Sequence, residues 1–361
     1  MVQSMTIYTK PFLDECRGTA DHNADLFIKQ QFETSGDKTN LKYNLDQLSK
    51  NAEVAEFSSR YPESPWLKKF STLPEWADRK KMKSGSDFFV LYAEPIMNLL
   101  GLLSLPYCYA AADGARVLSL SGQIKKNPGN RFSETASFVW DVMAPDAFDQ
   151  NGKGFSGILK VRLIHASIRF YILQSKSWNL EWGVPINQED MAGTNLSFSL
   201  LAIRGLRKMG LAISYKQQDS FIHLWNVIGY LLGLKSELLP LNGIEANSLE
   251  KNIRKRQFKY SEHGSELTEE LLLFMTSNSG GKISKNDLLG LMRYLIGEEV
   301  SEFINIKSIK NQTFNPFTIK AFTGLQQLMS SAKSYRNKQN KFQKQTQLIA
   351  NPFGLPTGLS N

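Results

Sequence analysis

From residue 87 onward apolar residues recur at three- and four-residue spacing almost without a gap, the period of helices that bury one face. The pattern predicts helices over 87–103, 107–119, 131–143, 157–174, 187–209 and 217–232, with an earlier one over 21–32 and later ones starting at Ser265 and Ser284. No run alternates as a half-buried strand does, so the fold class is all-α. Several helix ends are marked. Asn187 opens a helix with Gln188, Glu189 and Asp190 in its first turn, and Gly210 follows the basic turn Arg207, Lys208, Met209. Ser284 and Asp287 have the spacing of a capping box. Pro62, Pro65 and Pro74 punctuate a polar passage into the main helical region, with Trp66 and Trp76 expected to pack across it. The run from Phe88 to Ala112 has the length of a membrane span, but Glu94, Pro95, Asn98 and Pro106 predict two buried pieces with a break between them. No internal repeat is visible. The chain divides into an N-terminal helix and connecting segment (1–86), a helical core (87–240), a C-terminal helical extension (241–333) and a basic, mobile tail (334–361).

Composition narrows the function classes. In 361 residues, 42% hydrophobic and 11% aromatic, there is ample material for a large core. Basic residues number 43 against 34 acidic ones, a net charge of +9. The excess is concentrated in residues 251–259 and in the last thirty residues, with no nucleic-acid recognition motif beside it. Nucleic acid is therefore not an expected partner, whereas contact of the basic tail with a membrane surface is. Two cysteines, Cys16 and Cys108, exclude a disulfide framework and suit a reducing compartment. The first ten residues have no secretion-signal pattern, so the expected location is cytoplasmic.

Much metal and nucleotide chemistry is excluded by motif. Four histidines leave little room for a multi-histidine site, and neither Glu-x-x-His nor His-Glu-x-x-His occurs. The stretch 280–284 lacks the first glycine of a phosphate loop, and no dinucleotide glycine fingerprint is present. Cys-x-x-Cys-His is missing, so any haem is held non-covalently, and Cys108 lacks the glycine-containing loop of a thiolate haem ligand.

One histidine stands out. Ile158, Val161, His165, Ile168 and Ile172 share a helical face, with Arg162 and Arg169 one turn to either side of the histidine. A buried imidazole flanked by guanidinium groups suits a haem iron and its propionates. The same spacing equally describes a core histidine bonded to a carbonyl, with arginines reaching to solvent. A second helix places Arg131, Thr135, Phe138 and Val142 on one face, bordered by Glu134. Arg131 and Thr135 read as hydrogen-bond donors across a cavity and Glu134 as a proton carrier, or Arg131 and Glu134 form a surface ion pair.

Arg131-x-x-Glu-Thr135 followed by Val161-Arg-Leu-Ile-His-Ala-Ser-Ile-Arg169 resembles the rubber oxygenase (latex clearing protein) family and its relatives, the endoplasmic-reticulum-bound oxygenases of mycophenolic acid synthesis. Leu73-Pro-Glu-Trp-Ala-Asp78, Ser104-Leu-Pro-Tyr107, Trp182-Gly-Val-Pro-Ile-Asn-Gln188 and Trp225-Asn-Val-Ile-Gly-Tyr-Leu-Leu-Gly233 extend the resemblance over 21–240. It implies a globin-like helical core around a b-type haem in 87–240. It also implies His165 as proximal iron ligand, Arg131 and Thr135 as the distal pair, and dioxygen with an apolar small molecule as substrates. Glu134 departs from the family, which carries a lysine there, and only Asp113 stands near where the family has a separate glutamate base. The expectation is thus a haem-b-dependent oxygenase acting on an apolar, unsaturated, isoprenoid- or lipid-like substrate. Arg131, Glu134 and Thr135 are its catalytic residues, His165 its iron ligand, and Arg162 and Arg169 its propionate anchors. Phe138, Val142 and residues 194–198 are expected to wall the cavity. Two alternatives are a haem-binding sensor or carrier without turnover and a metal-free helical interaction protein.

Overall fold

The computed structural model describes residues 8–33, 38–121, 128–278, 284–307 and 335–346. Among them the chain is helical, and its one β-contact is the isolated bridge between Ala111 and Phe258. In order the helices are α1 (Lys10–Arg17), α2 (His22–Glu33), α3 (Lys38–Asp46), α4 (Ala52–Ser59), α5 (Pro65–Lys68), α6 (Arg79–Leu91) and α7 (Ala93–Leu99). A π-helical turn, Leu100–Ser104, leads into α8 (Leu105–Tyr109) and α9 (Ala112–Leu120). Then come α10 (Pro128–Met143), α11 (Gly154–Gln174), α12 (Gln188–Phe198), α13 (Leu200–Lys208) and α14 (Tyr215–Leu231). The remaining helices are α15 (Gly243–Gln257), α16 (Glu262–Asn278), α17 (Lys285–Ile296), α18 (Glu298–Phe303) and α19 (Tyr335–Thr346).

The marked ends form as their side chains dictate. Asn187 accepts from the Asp190 amide, and the Ser284 and Asp287 box closes in both directions. Ser214 and Gln217 add a second capping box that opens α14. Two expected helices are broken. The apolar run from Phe88 bends at Tyr92, and α6 with the stretch Ala93–Tyr109 meets at 83°. The break therefore falls inside the helix expected over 87–103, while the break expected at 104–106 is bridged by the π-helical turn and α8. No single helix among the described residues is long and apolar enough to cross a membrane. The helix expected over 187–209 divides at Ser199, whose hydroxyl donates back to the Asn195 carbonyl at 2.8 Å, a bond that favours bending.

A core of leucine, isoleucine and aromatic side chains runs from α1 to α18. The 21-residue α11 crosses it and buries residues on most of its circumference, as a centrally placed helix must. Trp66 packs edge-on against Phe27 and Phe70, while Trp76 stays half-exposed against His223 and Tyr230. Part of the basic tail is docked, not free. Tyr335 donates to the Trp140 carbonyl, Lys338 donates to the Val90 carbonyl at 2.8 Å, and Lys341 pairs with Glu94 at 2.7 Å. Aromatic contacts with Trp140 and the burial of Lys338 supply the docking that composition alone does not show.

α6 and α14 approach closely because Gly85 has no side chain. A Cβ there would lie 2.6 Å from the Ser220 carbonyl oxygen and 3.0 Å from Leu224 Cβ. Gly85→Ala gains up to ~1 kcal/mol of helix propensity, but the clash is with backbone that cannot step aside. We expect net destabilisation of about 1–3 kcal/mol, measured as a lower midpoint in denaturant unfolding.

Candidate active site

His165 of α11 and Glu134, Thr135 and Phe138 of α10 line one cavity of about 240 Å³. The two helices pack directly, since a Cβ placed on Gly157 would touch the Phe138 ring at 4.0 Å. Val161, Ile164 and Ile168 bring the apolar stripe of α11 to the same lining. Nδ1 of His165 is shut off from solvent. The stretch 194–198 contributes Thr194, Asn195, Ser197 and Phe198, as expected. Val142 does not reach the lining and is fully buried in the core. Arg131 lies in α10, and its side chain is outside the described residues.

Arg162 and Arg169 are placed differently from the expectation that they flank a ligand. Neither lines the cavity. Arg162 is clamped to Asp21, with Nη2 to Oδ1 at 2.9 Å, donates to the Leu231 carbonyl at 3.1 Å and lies over the Trp66 ring at 4.7 Å. Arg169 pairs with Asp25 at 2.7 Å and donates to the Ile186 carbonyl at 3.2 Å. Both guanidinium groups are engaged by α2 and nearby carbonyls, so the structure corrects their assignment as anchors of a cofactor's carboxylates. Local spacing put them one turn from His165; the long-range acid partners decided their direction.

A group not singled out for the site in the sequence lines the same cavity. Asp190, in the first turn of α12, lines the cavity with 14% of its side chain accessible. Arg17 of α1 holds it at 3.0 Å and also reaches Asp113 at 3.2 Å and Glu189 at 3.6 Å. Arg256 and Gln257 complete the shell around Glu189 at 2.7 and 2.8 Å, and Lys259 meets Asp113 at 3.2 Å. Burial pushes the Asp190 carboxyl up to about 6, helped by Glu189 and Asp113 and opposed by Arg17. Asp190 was legible only as a helix-capping acid. Its partner Arg17 lies far back in the chain, and no local pattern links the two. Cys108 also lines the cavity, and burial raises its thiol pKa, which keeps it protonated and unsuited to ligation as a thiolate.

The donor set fits a b-type haem: one imidazole on the wall of a largely apolar cavity, with a hydroxyl and a carboxyl from α10 on the same lining. Among the described residues no group of three or more His, Cys, Asp or Glu gathers to hold a bare ion.

A family model described as "ER-bound oxygenase mpaB/B'/Rubber oxygenase, catalytic domain" matches residues 82–323, and the chain belongs to this family. The match continues well past residue 240, where the sequence resemblance ends. A rubber oxygenase of Streptomyces sp. (strain K30) is 26% identical over 239 residues, covering 65% of this chain and 58% of that protein's length. The solved structure of latex clearing protein LCP in the closed state shares the fold, with a TM-score of 0.73 at 20% identity over 94% of each chain. The family read from the motifs around Arg131 and His165 is the one the chain belongs to.

The Asp190 environment has a consequence for pH. Its folded pKa of about 6 lies above the ordinary carboxylate value, so the folded chain keeps a proton that the unfolded chain releases. Stability contributed by this group is present below about pH 4 and is lost as pH rises to about 6. The unfolding free energy of wild type minus that of Asp190→Asn should fall by about 1–3 kcal/mol across this window. Denaturant unfolding at intervals of half a pH unit measures it, and a flat difference would contradict the assignment.

Proposed function

We propose that the protein is a haem-b-dependent oxygenase that acts with dioxygen on an apolar, unsaturated, isoprenoid- or lipid-like substrate. The observation that carries this reading is that His165, Glu134 and Thr135 line one largely apolar cavity, in a chain of this oxygenase family. His165 would hold the iron, and the haem, when bound, supplies the dioxygen chemistry. The chain's own residues do the remainder. The Thr135 hydroxyl, with Arg131 one helical turn before it, donates hydrogen bonds to oxygen in the cavity. Glu134 takes up or returns a proton at its carboxylate, as a general acid or base in hydrogen-bond reach of the reacting group does. Val161, Ile164, Ile168, Phe138 and Phe198 exclude water and position an apolar chain by dispersion contact. Arg162 and Arg169 have no part in this reading, because their charges are matched by Asp21 and Asp25.

Absorption spectroscopy of protein expressed with haem supply tests the cofactor. Wild type should show a Soret band, and His165→Ala should lose or shift it; an unchanged spectrum refutes the ligand assignment. Thr135→Ala and Arg131→Ala should keep the Soret band and lose about 10²-fold or more of substrate-dependent oxygen uptake. A wild type with a Soret band and ligand binding but no oxygen uptake would be a haem-binding sensor or carrier instead.

A further inference from the structure

Three large apolar side chains stand out from the surface together. Leu241 is 82% exposed, Ile244 81% and Tyr215 79%. They gather around Gly243, which packs so closely that a Cβ there would strike the Gln218 amide, and Gln218 lies one turn after Tyr215 on α14. The two aliphatic side chains are held outward by a pinned backbone. The Pro240 carbonyl accepts from Asn226 Nδ2 at 2.7 Å, the Leu241 amide donates to Glu245 at 2.9 Å, and Asn242 caps the Ile244 and Glu245 amides. Cations surround this tip. Arg207 lies over the Tyr215 ring at 5.9 Å and donates to Gln218 at 2.7 Å, while Lys208 donates to the Leu295 carbonyl at 2.8 Å. Both keep their charge beside neutral partners. Lys216 and Lys251 are exposed.

Along α15, Ile244, Asn247 and Lys251 follow one face. Asn247 and Lys251 line a second cavity, of about 480 Å³, together with Arg204 and Lys208 of α13. Tyr107, Glu250 and Arg254 line both this cavity and the one lined by His165. The acids of the second cavity are each held by an arginine: Glu250 by Arg204 at 2.7 Å, Glu299 by Arg254 at 2.5 Å, and Glu298 by Arg293. Lys208 and Lys251 leave it positive. In the basic tail, by contrast, Lys338 and Lys341 turn inward to Val90 and Glu94. We propose that Leu241, Ile244 and Tyr215, with the cations around them, dock the protein on an anionic membrane surface. Apolar side chains on a rigid helix start enter the acyl boundary, and long cationic side chains beside them reach the lipid phosphates. Calling the membrane the store of an apolar substrate for the adjoining cavity rests on the oxygenase reading; the docking itself does not.

The test is co-sedimentation of the full chain, purified with haem supply, with vesicles of phosphatidylcholine alone or mixed with phosphatidylserine. Wild type should bind the mixed vesicles about tenfold or more tightly than the neutral ones, and added salt should shrink the difference. Leu241→Ser combined with Ile244→Ser should weaken binding to the mixed vesicles about tenfold or more. Lys216→Gln combined with Lys251→Gln should remove most of the preference for phosphatidylserine. All four positions are exposed, so unfolding midpoints should stay at the wild-type value. Arg336→Gln combined with Lys344→Gln, on the exposed side of the tail, should leave binding unchanged. Absence of vesicle binding by wild type, equal binding to both vesicles, or full binding by the Leu241 and Ile244 variant would overturn the proposal. So would a dimer in solution that this variant dissociates, which would give the face to a second copy of the chain. Vesicle binding requires no turnover, so its loss leaves the oxygenase reading standing, and absence of oxygen uptake leaves the docking standing.

Discussion

The placement of His165 depends on two ion pairs that never touch the cavity. Arg162 and Arg169 bracket it on α11, and α2 answers them with Asp21 and Asp25. Arg169 is only 1% exposed, and a guanidinium so deeply buried requires a partner wherever the helix settles. If α11 rotated by a third of a turn, two cations would face carbon instead of carboxylate, and His165 would leave the cavity wall. The desolvation of these charges offsets much of their attraction, so their contribution is to fix the helix's rotation more than to add net stability.

The part of the wall formed by α12 is held by the same means from the same part of the chain. Arg17 of α1 draws Asp113 of α9 and both acids at the start of α12 around one guanidinium. The backbone follows, with Val184 donating to the Arg17 carbonyl at 3.0 Å and Gln188 to the Thr19 carbonyl at 2.9 Å. The N-terminal stretch precedes the family match, which begins at residue 82, yet it straps both walls of the cavity that match contains.

Helix existence was legible because a 3.6-residue apolar period requires no knowledge of partners, and caps such as Asn187, Ser284 and Asp287 act within four residues. The division at Ser199 was not, since a serine within an apolar run signals only a weak tendency to bend. The site was legible in part. His165, Glu134, Thr135 and Phe138 share faces that spacing alone defines, and the structure brings them to one lining. Arg162 and Arg169 satisfy the same spacing argument but turn to α2. Helical spacing states which residues neighbour one another on a surface, not what lies across from it, and the acids that decide the matter are more than 140 positions away. Asp190 was hidden for the same reason: it matters through Arg17, which lies far back in the chain.

Charge gives the clearest separation between chain and cavity. The net charge of +9 invites an anionic ligand, but the basic residues go elsewhere: Lys338 and Lys341 fasten α19 to Val90 and Glu94, and Arg17 and Arg256 bind acids. Among the described residues lining the cavity, the acids Glu134, Asp190 and Glu250 stand against one arginine, Arg254, itself 2.5 Å from Glu299. In a space walled mainly by carbon such charges are weakly screened. Two of these acids are matched by cations behind the wall, Asp190 by Arg17 at 3.0 Å and Glu250 by Arg204 at 2.7 Å. The charge presented to the cavity is set by these few pairs, and the protein's overall charge has no bearing on it.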